Sequence, residues 1–128
     1  MGKLVMKKIL VVDDEPHVRR IMQLTLQKNG YEVKTAQDGV AGLDIIRKEV
    51  PDAIVLDIEM PRMNGIDMCK TFYQEFPDTS CKIFIASSRA EDKFRDWIDE
   101  YSKVTFIEKP VSVRSLVEEL RKALPSND

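Results

Sequence analysis

Five polar side chains stand at the ends of four apolar runs in this sequence. Asp13 and Asp14 follow the first of these runs, Asp57 the second, Ser87 the third and Lys109 the last. If the run ends meet in the fold, three carboxylates face one lysine and one hydroxyl. Two carboxylates about 4 Å apart repel by about 4 kcal/mol at an effective dielectric constant of about 20. One lysine offsets only part of that repulsion, so we expect these carboxylates to bind a cation.

The ligand types indicate which cation and which chemistry. An oxygen-only site without histidine or cysteine favours a hard divalent ion, and Mg²⁺ fits best. Mg²⁺ beside a lysine and a hydroxyl would neutralise phosphoryl oxygens, so the predicted chemistry is phosphoryl transfer. Asp57 is the candidate acceptor, through an aspartyl phosphate, since it is the single acid at its run end and is expected to lie centrally. We expect the single histidine, His17, to face solvent; the alternative is a relay of phosphate beside the acids.

The same residues also have plainer structural interpretations. The acids after the first run could favour the positive amino terminus of the following helix, which is the only role we expect for Glu15. Asp57 could form a turn, Ser87 or Ser88 could cap a helix, and Lys109 could be a solvated lysine. Complementary groups at four strand ends that face one edge are, however, hard to obtain by accident.

The elements that must position these groups alternate strictly along the chain. Apolar runs at 9–12, 53–56, 83–86 and 104–107, together with an alternating segment at 31–36, predict five strands. Each is followed by apolar residues at helical spacing, which predicts five helices. Such alternation implies parallel strands, right-handed crossovers and helices on both faces of the sheet. The carboxyl ends of the strands then meet at one edge, where open α/β sheets bind ligands.

The burial patterns assign positions within that sheet. The continuously apolar strands are expected to be central, and the second strand, which alternates, is expected at an edge with no comparable polar group at its end. The fourth predicted helix carries an aromatic stripe of Phe94, Trp97 and Tyr101. Packing on the sheet is the favoured interpretation of this stripe, and a partner surface is the alternative.

Composition bounds the class of protein. The chain has 128 residues, 43% hydrophobic and 33% charged, which is one domain of ordinary size. A net charge of -2 argues against direct nucleic-acid binding. No apolar run approaches the length of a membrane span, so we expect no membrane contact and a cytoplasmic location. Cys69 and Cys81 form no CxxC pair and are expected to be reduced thiols.

The sequence closely resembles the receiver domain of two-component response regulators, of the single-domain chemotaxis type, from about Lys8 to about Leu124. The motifs that carry the resemblance are the apolar strand into Asp13-Asp14, Leu56-Asp57-Ile58-Glu59-Met60-Pro61, Asn64-Gly65, Ala86-Ser87-Ser88 and Glu108-Lys109-Pro110. The resemblance implies a flavodoxin-like, doubly wound, five-stranded parallel sheet of order 2-1-3-4-5 with five helices. It implies a single receiver domain over 1–128, with no output domain in this chain.

The resemblance also implies a phosphoacceptor site that needs Mg²⁺. Asp57 would accept a phosphoryl group from the phosphohistidine of a sensor histidine kinase or a phosphotransfer protein. Asp14 and Asp57 would ligate Mg²⁺ together with the main-chain carbonyl of Glu59, and Asp13 would act through water. The Ser87 hydroxyl, the Ser88 amide and Lys109 would hold the phosphoryl oxygens, and the Lys109-Pro110 peptide would be cis.

Four positions concern switching and phosphate lifetime. Phe106 stands where the family places an aromatic that turns inward as Ser87 moves, but it has no hydroxyl, so a switch here depends on packing. Ser87 stands where threonine is commoner, which removes the methyl that stiffens χ1. Glu59 and Arg89 stand at the two variable positions that flank the phosphate in the family, and we hypothesise that they pair across the mouth of the site and shield the phosphate from water. The alternative is two separate solvated charges.

The predicted function is a signalling module that catalyses only its own phosphorylation and dephosphorylation. Its output face would combine the fourth predicted helix, the fifth strand and the fifth helix, for a downstream target protein or a missing output domain. We expect a monomer or a weak, phosphorylation-dependent homodimer. The alternative is a small Mg²⁺-dependent phosphohydrolase with an aspartyl-phosphate intermediate, although 128 residues leave no room for a cap domain. A flavin-binding module is disfavoured, because the acids after the first strand would repel the cofactor phosphate.

Overall fold

The computed structural model describes residues 6–60, 62–87 and 103–125. The strands are β1 (Lys8–Val12), β2 (Glu32–Ala36), β3 (Ala53–Asp57), β4 (Lys82–Ser87) and β5 (Val104–Glu108). The described helices are α1 (Pro16–Lys28), α2 (Gly39–Lys48), α3 (Gly65–Glu75) and α4 (Val113–Ala123). None of these four helices has the length and apolar character needed to cross a membrane.

The five strands form one parallel sheet of order β2-β1-β3-β4-β5. This confirms the flavodoxin-like order and the edge position of the second strand. Within the described residues there are four helices where five were predicted. The remaining predicted helix, with its stripe of Phe94, Trp97 and Tyr101, lies outside the described residues.

Two apolar layers cover the sheet, because successive strand residues point to opposite faces. On one face, Leu10 and Val12 of β1 belong to the cluster that includes Leu43 and Ile46 of α2, together with residues of α3. On the other face, alternate strand residues pack against α1 and α4. β1, β3 and β4 are buried almost throughout, as expected of central strands in a parallel sheet.

The start of α3 sits unusually close to the end of β3. A Cβ atom built on Gly65 would lie 2.3 Å from Leu56 Cδ1 and 2.5 Å from the main-chain oxygen of Asp57. Only glycine fits this approach without a shift of the main chain. Asn64 precedes it as the N-cap and accepts a hydrogen bond from the Asp67 N–H at 2.9 Å. The segment after β3 is therefore held against the strand that carries Asp57.

The two cysteines are buried and free. Burial raises the pKa of the Cys69 thiol to about 12, and it does the same for Cys81. The expectation of reduced thiols that form no disulfide is confirmed.

Candidate functional site

Three carboxylates from two strand ends meet at the carboxyl edge of the sheet. Asp13, Asp14 and Asp57 each place an oxygen within 4.8 Å of the others. Asp13 and Asp57 are only 6% and 4% exposed, whereas Asp14 is open to solvent. The structure thus brings together the three acids that the sequence placed at strand ends.

Lys109 supplies the positive charge beside the phosphoacceptor candidate. Its Nζ lies 2.7 Å from Asp57 Oδ2, and its main-chain N–H donates to the Ser87 carbonyl oxygen at 2.8 Å. The following peptide bond to Pro110 is cis, as predicted. Burial alone would lower the pKa of Lys109, but its hydrogen bond to Asp57 and the neighbouring negative charges raise it overall. Lys109 is therefore a firmly charged ammonium group at the site.

Asp57 is fixed through both of its carboxylate oxygens. Oδ1 accepts the Glu59 main-chain N–H at 3.0 Å, while Oδ2 accepts from Lys109. The first bond spans two residues, as in an Asx turn. The turn-forming interpretation of Asp57 is therefore confirmed, and it leaves the second carboxylate oxygen facing Lys109. The turn holds the carboxylate in one orientation toward the lysine.

Asp13 is held by the turn that follows β1. Its Oδ1 accepts the Glu15 main-chain N–H at 2.9 Å, and its carbonyl oxygen accepts from Arg19 Nη1 at 2.7 Å. Burial raises the pKa of the Asp13 carboxyl; the Glu15 N–H lowers it in part, and the charge of Asp57 raises it further. Among the described residues, the one ammonium of Lys109 faces three carboxylates, so this part of the cluster is short of positive charge. The donor set and this imbalance fit a hard divalent cation.

Glu15 and His17 lie at the start of α1. Glu15 stands at the N-cap position of α1, but its side chain makes no capping hydrogen bond. His17 is exposed on the first turn of α1, which confirms that it faces solvent.

The remaining predicted site residues are described in part. Ser87 is buried at the end of β4, opposite Glu108, and Phe106 is half-buried on β5 opposite Ile85. Ser88 and Arg89 lie outside the described residues, and so does the hypothesised pairing of Arg89 with Glu59. The Glu59 side chain is exposed.

The edge strand contributes an acid that the sequence analysis missed. Asp38 follows β2, is 3% exposed, and caps α2 by accepting the Ala41 N–H at 2.8 Å. Its other oxygen pairs with Arg62 Nη2 at 2.7 Å. The expectation that the second strand carries no comparable group at its end was wrong. The available signal was Asp38-Gly39 ahead of a helical pattern, which predicts a cap but not the ion pair.

An apolar groove opens beside the acidic cluster, between α1 and the segment that follows β5. Asp57 and Lys109 line one part of it. Its apolar walls are formed by Val18, Ile21, Met22, Pro110, Val111 and Val113. Ile21 is 56% exposed, which is high for a large aliphatic side chain next to a polar site.

Comparisons with known proteins agree with this geometry. The family model described as "Response regulator receiver domain" matches residues 9–121. "Response regulator MprA" of Mycobacterium sp. (strain KMS) is 33% identical over 117 residues, which cover 91% of this chain and 50% of the relative. The chain thus spans about half the length of the curated relatives it matches.

Solved structures give the same result. The chemotaxis protein CheY4 of Vibrio cholerae superposes with a TM-score of 0.85 at 28% identity, covering 94% of this chain and 100% of that one. The response regulator protein TrrA of Thermotoga maritima, solved in complex with Mg(2+)-BeF, superposes with a TM-score of 0.79 at 31% identity. That match covers 93% of this chain and 100% of TrrA.

Proposed function

This chain belongs to the response regulator receiver domain family, and from that membership we propose that it is a phosphorylation-controlled switch with Asp57 as the phosphoacceptor. The observation that carries the proposal is the setting of the Asp57 carboxylate. It lies in the three-acid cluster, whose oxygens are within 4.8 Å of one another, and it is 2.7 Å from the Lys109 ammonium. A nucleophilic carboxylate with a cation on one side and surplus acids on the other suits phosphoryl transfer.

Asp13, Asp14, Asp57 and the main-chain carbonyl of Glu59 would hold Mg²⁺, with Asp13 acting through water. When bound, Mg²⁺ would supply the positive charge that neutralises the phosphoryl oxygens. The oxygen-only donor set supports this assignment, and TrrA, a related response regulator, was solved in complex with Mg(2+)-BeF.

The chain's own residues orient the reacting groups. The Glu59 N–H holds Oδ1 of Asp57, and Lys109 holds Oδ2. A carboxylate oxygen attacks the phosphorus of a phosphohistidine; the new P–O bond forms as the P–N bond breaks, and the imidazole leaves with the electron pair. Lys109 then pairs with a phosphoryl oxygen, assisted by the Ser87 hydroxyl and the Ser88 amide. Water then hydrolyses the acyl phosphate, which releases inorganic phosphate and returns the free carboxylate.

The donor protein would dock on the groove between α1 and the segment after β5. Asp57 lines this groove, so a histidine-bearing partner seated there delivers its phosphoryl group to the correct atom. The exposed Ile21 and the apolar walls provide contact area that a small phosphodonor such as acetyl phosphate does not need. The partner we propose, from family membership, is a sensor histidine kinase or a phosphotransfer protein.

Phosphorylation would shift the population toward a second conformation of the output face. Ser87 and Phe106 are the proposed switch residues. The described part of the output face consists of β5 and α4, and α4 is the fifth predicted helix. We further propose a single domain over 1–128 that acts in the cytoplasm, through a downstream protein or an output domain outside this chain. It would be a monomer or a weak, phosphorylation-dependent dimer.

Acetyl phosphate with Mg²⁺ tests the proposal by intact-protein mass spectrometry. We expect one labile phosphoryl adduct on the wild-type chain, no adduct on Asp57→Asn, and none with a metal chelator. Asp78→Asn, an exposed acid beyond α3, is the matched control and should phosphorylate normally. An adduct that survives in Asp57→Asn would contradict the proposal. Steady multiple turnover of a phosphate ester would instead favour the phosphohydrolase, which the family match does not support.

A further inference from the structure

We propose that Arg62, through its ion pair with the buried Asp38, is a positioning residue that holds the segment carrying the Glu59 carbonyl in a geometry able to bind Mg²⁺. This inference rests on the proposed function and adds to it a residue outside the ligand set. It assigns the edge of the sheet a role in metal binding.

The ion pair joins two different connections at the carboxyl edge of the sheet. Arg62 Nη2 lies 2.7 Å from Asp38 Oδ2, and Asp38 is almost fully buried while Arg62 is 67% exposed. The other Asp38 oxygen accepts the Ala41 N–H, so the carboxylate is fixed by the start of α2. Arg62 therefore reaches from the connection between β3 and α3 to a rigid acceptor at the end of β2.

The main chain at Arg62 needs such an anchor. Its φ is 66°, in the left-handed region, which is disfavoured for a residue with a Cβ atom. A conformation of this kind persists only where surrounding contacts impose it. The contact shown for Arg62 is the charge-assisted pair with the buried carboxylate of Asp38.

A second contact joins the same two connections. A Cβ atom built on Gly39 would lie 3.0 Å from Met63 Cγ and 3.1 Å from the Met63 carbonyl oxygen. Asp38 therefore contacts Arg62, and the next residue in each connection, Gly39 and Met63, packs against the other. The close packing leaves little room for the two connections to slide past each other.

The anchored segment leads back to the phosphoacceptor. The Ile58 N–H donates to the Ala86 oxygen at 2.9 Å, and the Gly65 N–H donates to the Ile58 oxygen at 3.0 Å. These bonds fix the two ends of the connection, while Arg62 fixes a point between them. Glu59 lies between Ile58 and Arg62, so loss of the ion pair would free the stretch that offers its carbonyl to Mg²⁺.

The chain offers a matched control at the other end of the same elements. Arg47, in the last turn of α2, binds Glu75, in the last turn of α3, through Nε at 2.8 Å and Nη2 at 2.6 Å. Both ion pairs link the α2 region to the α3 region. Arg47→Ala removes the pair far from the acidic cluster, whereas Arg62→Ala removes the pair beside it.

Titration of the full chain with Mg²⁺ by isothermal calorimetry, together with urea unfolding of each variant, tests the inference. We expect Arg62→Gly and Arg62→Ala to bind Mg²⁺ about tenfold more weakly, at the low end of the range for groups that orient metal ligands from outside. Asp38→Asn, which keeps the cap acceptor and loses the charge, should act in the same direction. Arg47→Ala should bind Mg²⁺ like the wild type.

Arg62→Gly separates positioning from simple stabilisation. Glycine adopts positive φ without strain, so this variant should lose less stability than Arg62→Ala while losing as much Mg²⁺ affinity. Wild-type affinity in Arg62→Gly, or an equal loss in Arg47→Ala, would overturn the inference. If the wild type binds no Mg²⁺, or Asp57→Asn binds it equally well, the proposed function itself fails, which is a different result.

Discussion

Replacing Asp13 by asparagine should stabilise the chain when no metal is present. The variant keeps the shape of the side chain, and its amide oxygen can still accept the Glu15 N–H that Asp13 Oδ1 accepts at 2.9 Å. What it removes is one negative charge from the acidic cluster. The change therefore isolates the electrostatic cost of the site from its hydrogen bonding.

The magnitude follows from the spacing of the carboxylates. Two unit charges at the 4.8 Å limit of the cluster repel by about 3.5 kcal/mol at an effective dielectric constant of about 20. Two effects reduce this gain: Lys109 attracts Asp13 and offsets part of the Asp57 charge, and the exposed Asp14 is screened by solvent. Discounting by roughly half gives a gain of about 2 kcal/mol in the free energy of unfolding.

Urea unfolding followed by circular dichroism, with a chelator and then with saturating Mg²⁺, measures this effect. Binding to the folded state stabilises the wild type in Mg²⁺, and the variant, lacking one acid, gains less. The advantage of Asp13→Asn should therefore shrink or reverse when Mg²⁺ is added. Asp78→Asn should change neither curve appreciably. A lower stability of Asp13→Asn than of the wild type in chelator would refute the reasoning. An equal gain in the free energy of unfolding with chelator and with Mg²⁺ would also refute it.

Three further predictions test the groove, the packing and the thiols. Ile21→Ser should slow phosphotransfer from a protein donor by about tenfold, a hot-spot loss, yet leave acetyl phosphate labelling unchanged; equal effects on both would contradict docking in the groove. Gly65→Ala should lower the free energy of unfolding by about 3 kcal/mol, since its Cβ would meet the Asp57 carbonyl oxygen; unchanged urea unfolding would contradict the close approach. Cys69 and Cys81 should react with iodoacetamide about a thousandfold more slowly in the folded chain than in urea, because burial raises the pKa of both thiols to about 12. Fast labelling of the folded chain would contradict this prediction.

The fold could be predicted wherever local pattern and burial agree. Continuous apolar runs marked β1, β3 and β4, and the alternating run marked β2 as an edge, because a parallel sheet buries its central strands on both faces. The strand-end rule then placed Asp13, Asp57 and Lys109 together before any geometry was known. These residues share one property: their position follows from the topology of the sheet alone.

Asp38 shows where such reasoning ends. Its role as a helix cap is local and can be predicted from the sequence. Its ion pair with Arg62, however, joins the loop after β2 to the loop after β3. No periodicity or spacing relates them, since the contact depends on how the start of α2 faces the connection after β3. The double role of Asp57 was hidden for a similar reason: its turn to Glu59 and its pair with Lys109 use different oxygens of one carboxylate.

The identity of the phosphorylated atom is the most direct test of this account. The chain is treated with acetyl phosphate and Mg²⁺, reduced with borohydride, which converts an aspartyl phosphate to homoserine, and mapped by peptide mass spectrometry. We predict homoserine at position 57 and at no other position. A phosphoryl group found on Ser87, or reduction at Asp13 or Asp14 in place of Asp57, would contradict the assignment of this site as an aspartate-based phosphoacceptor.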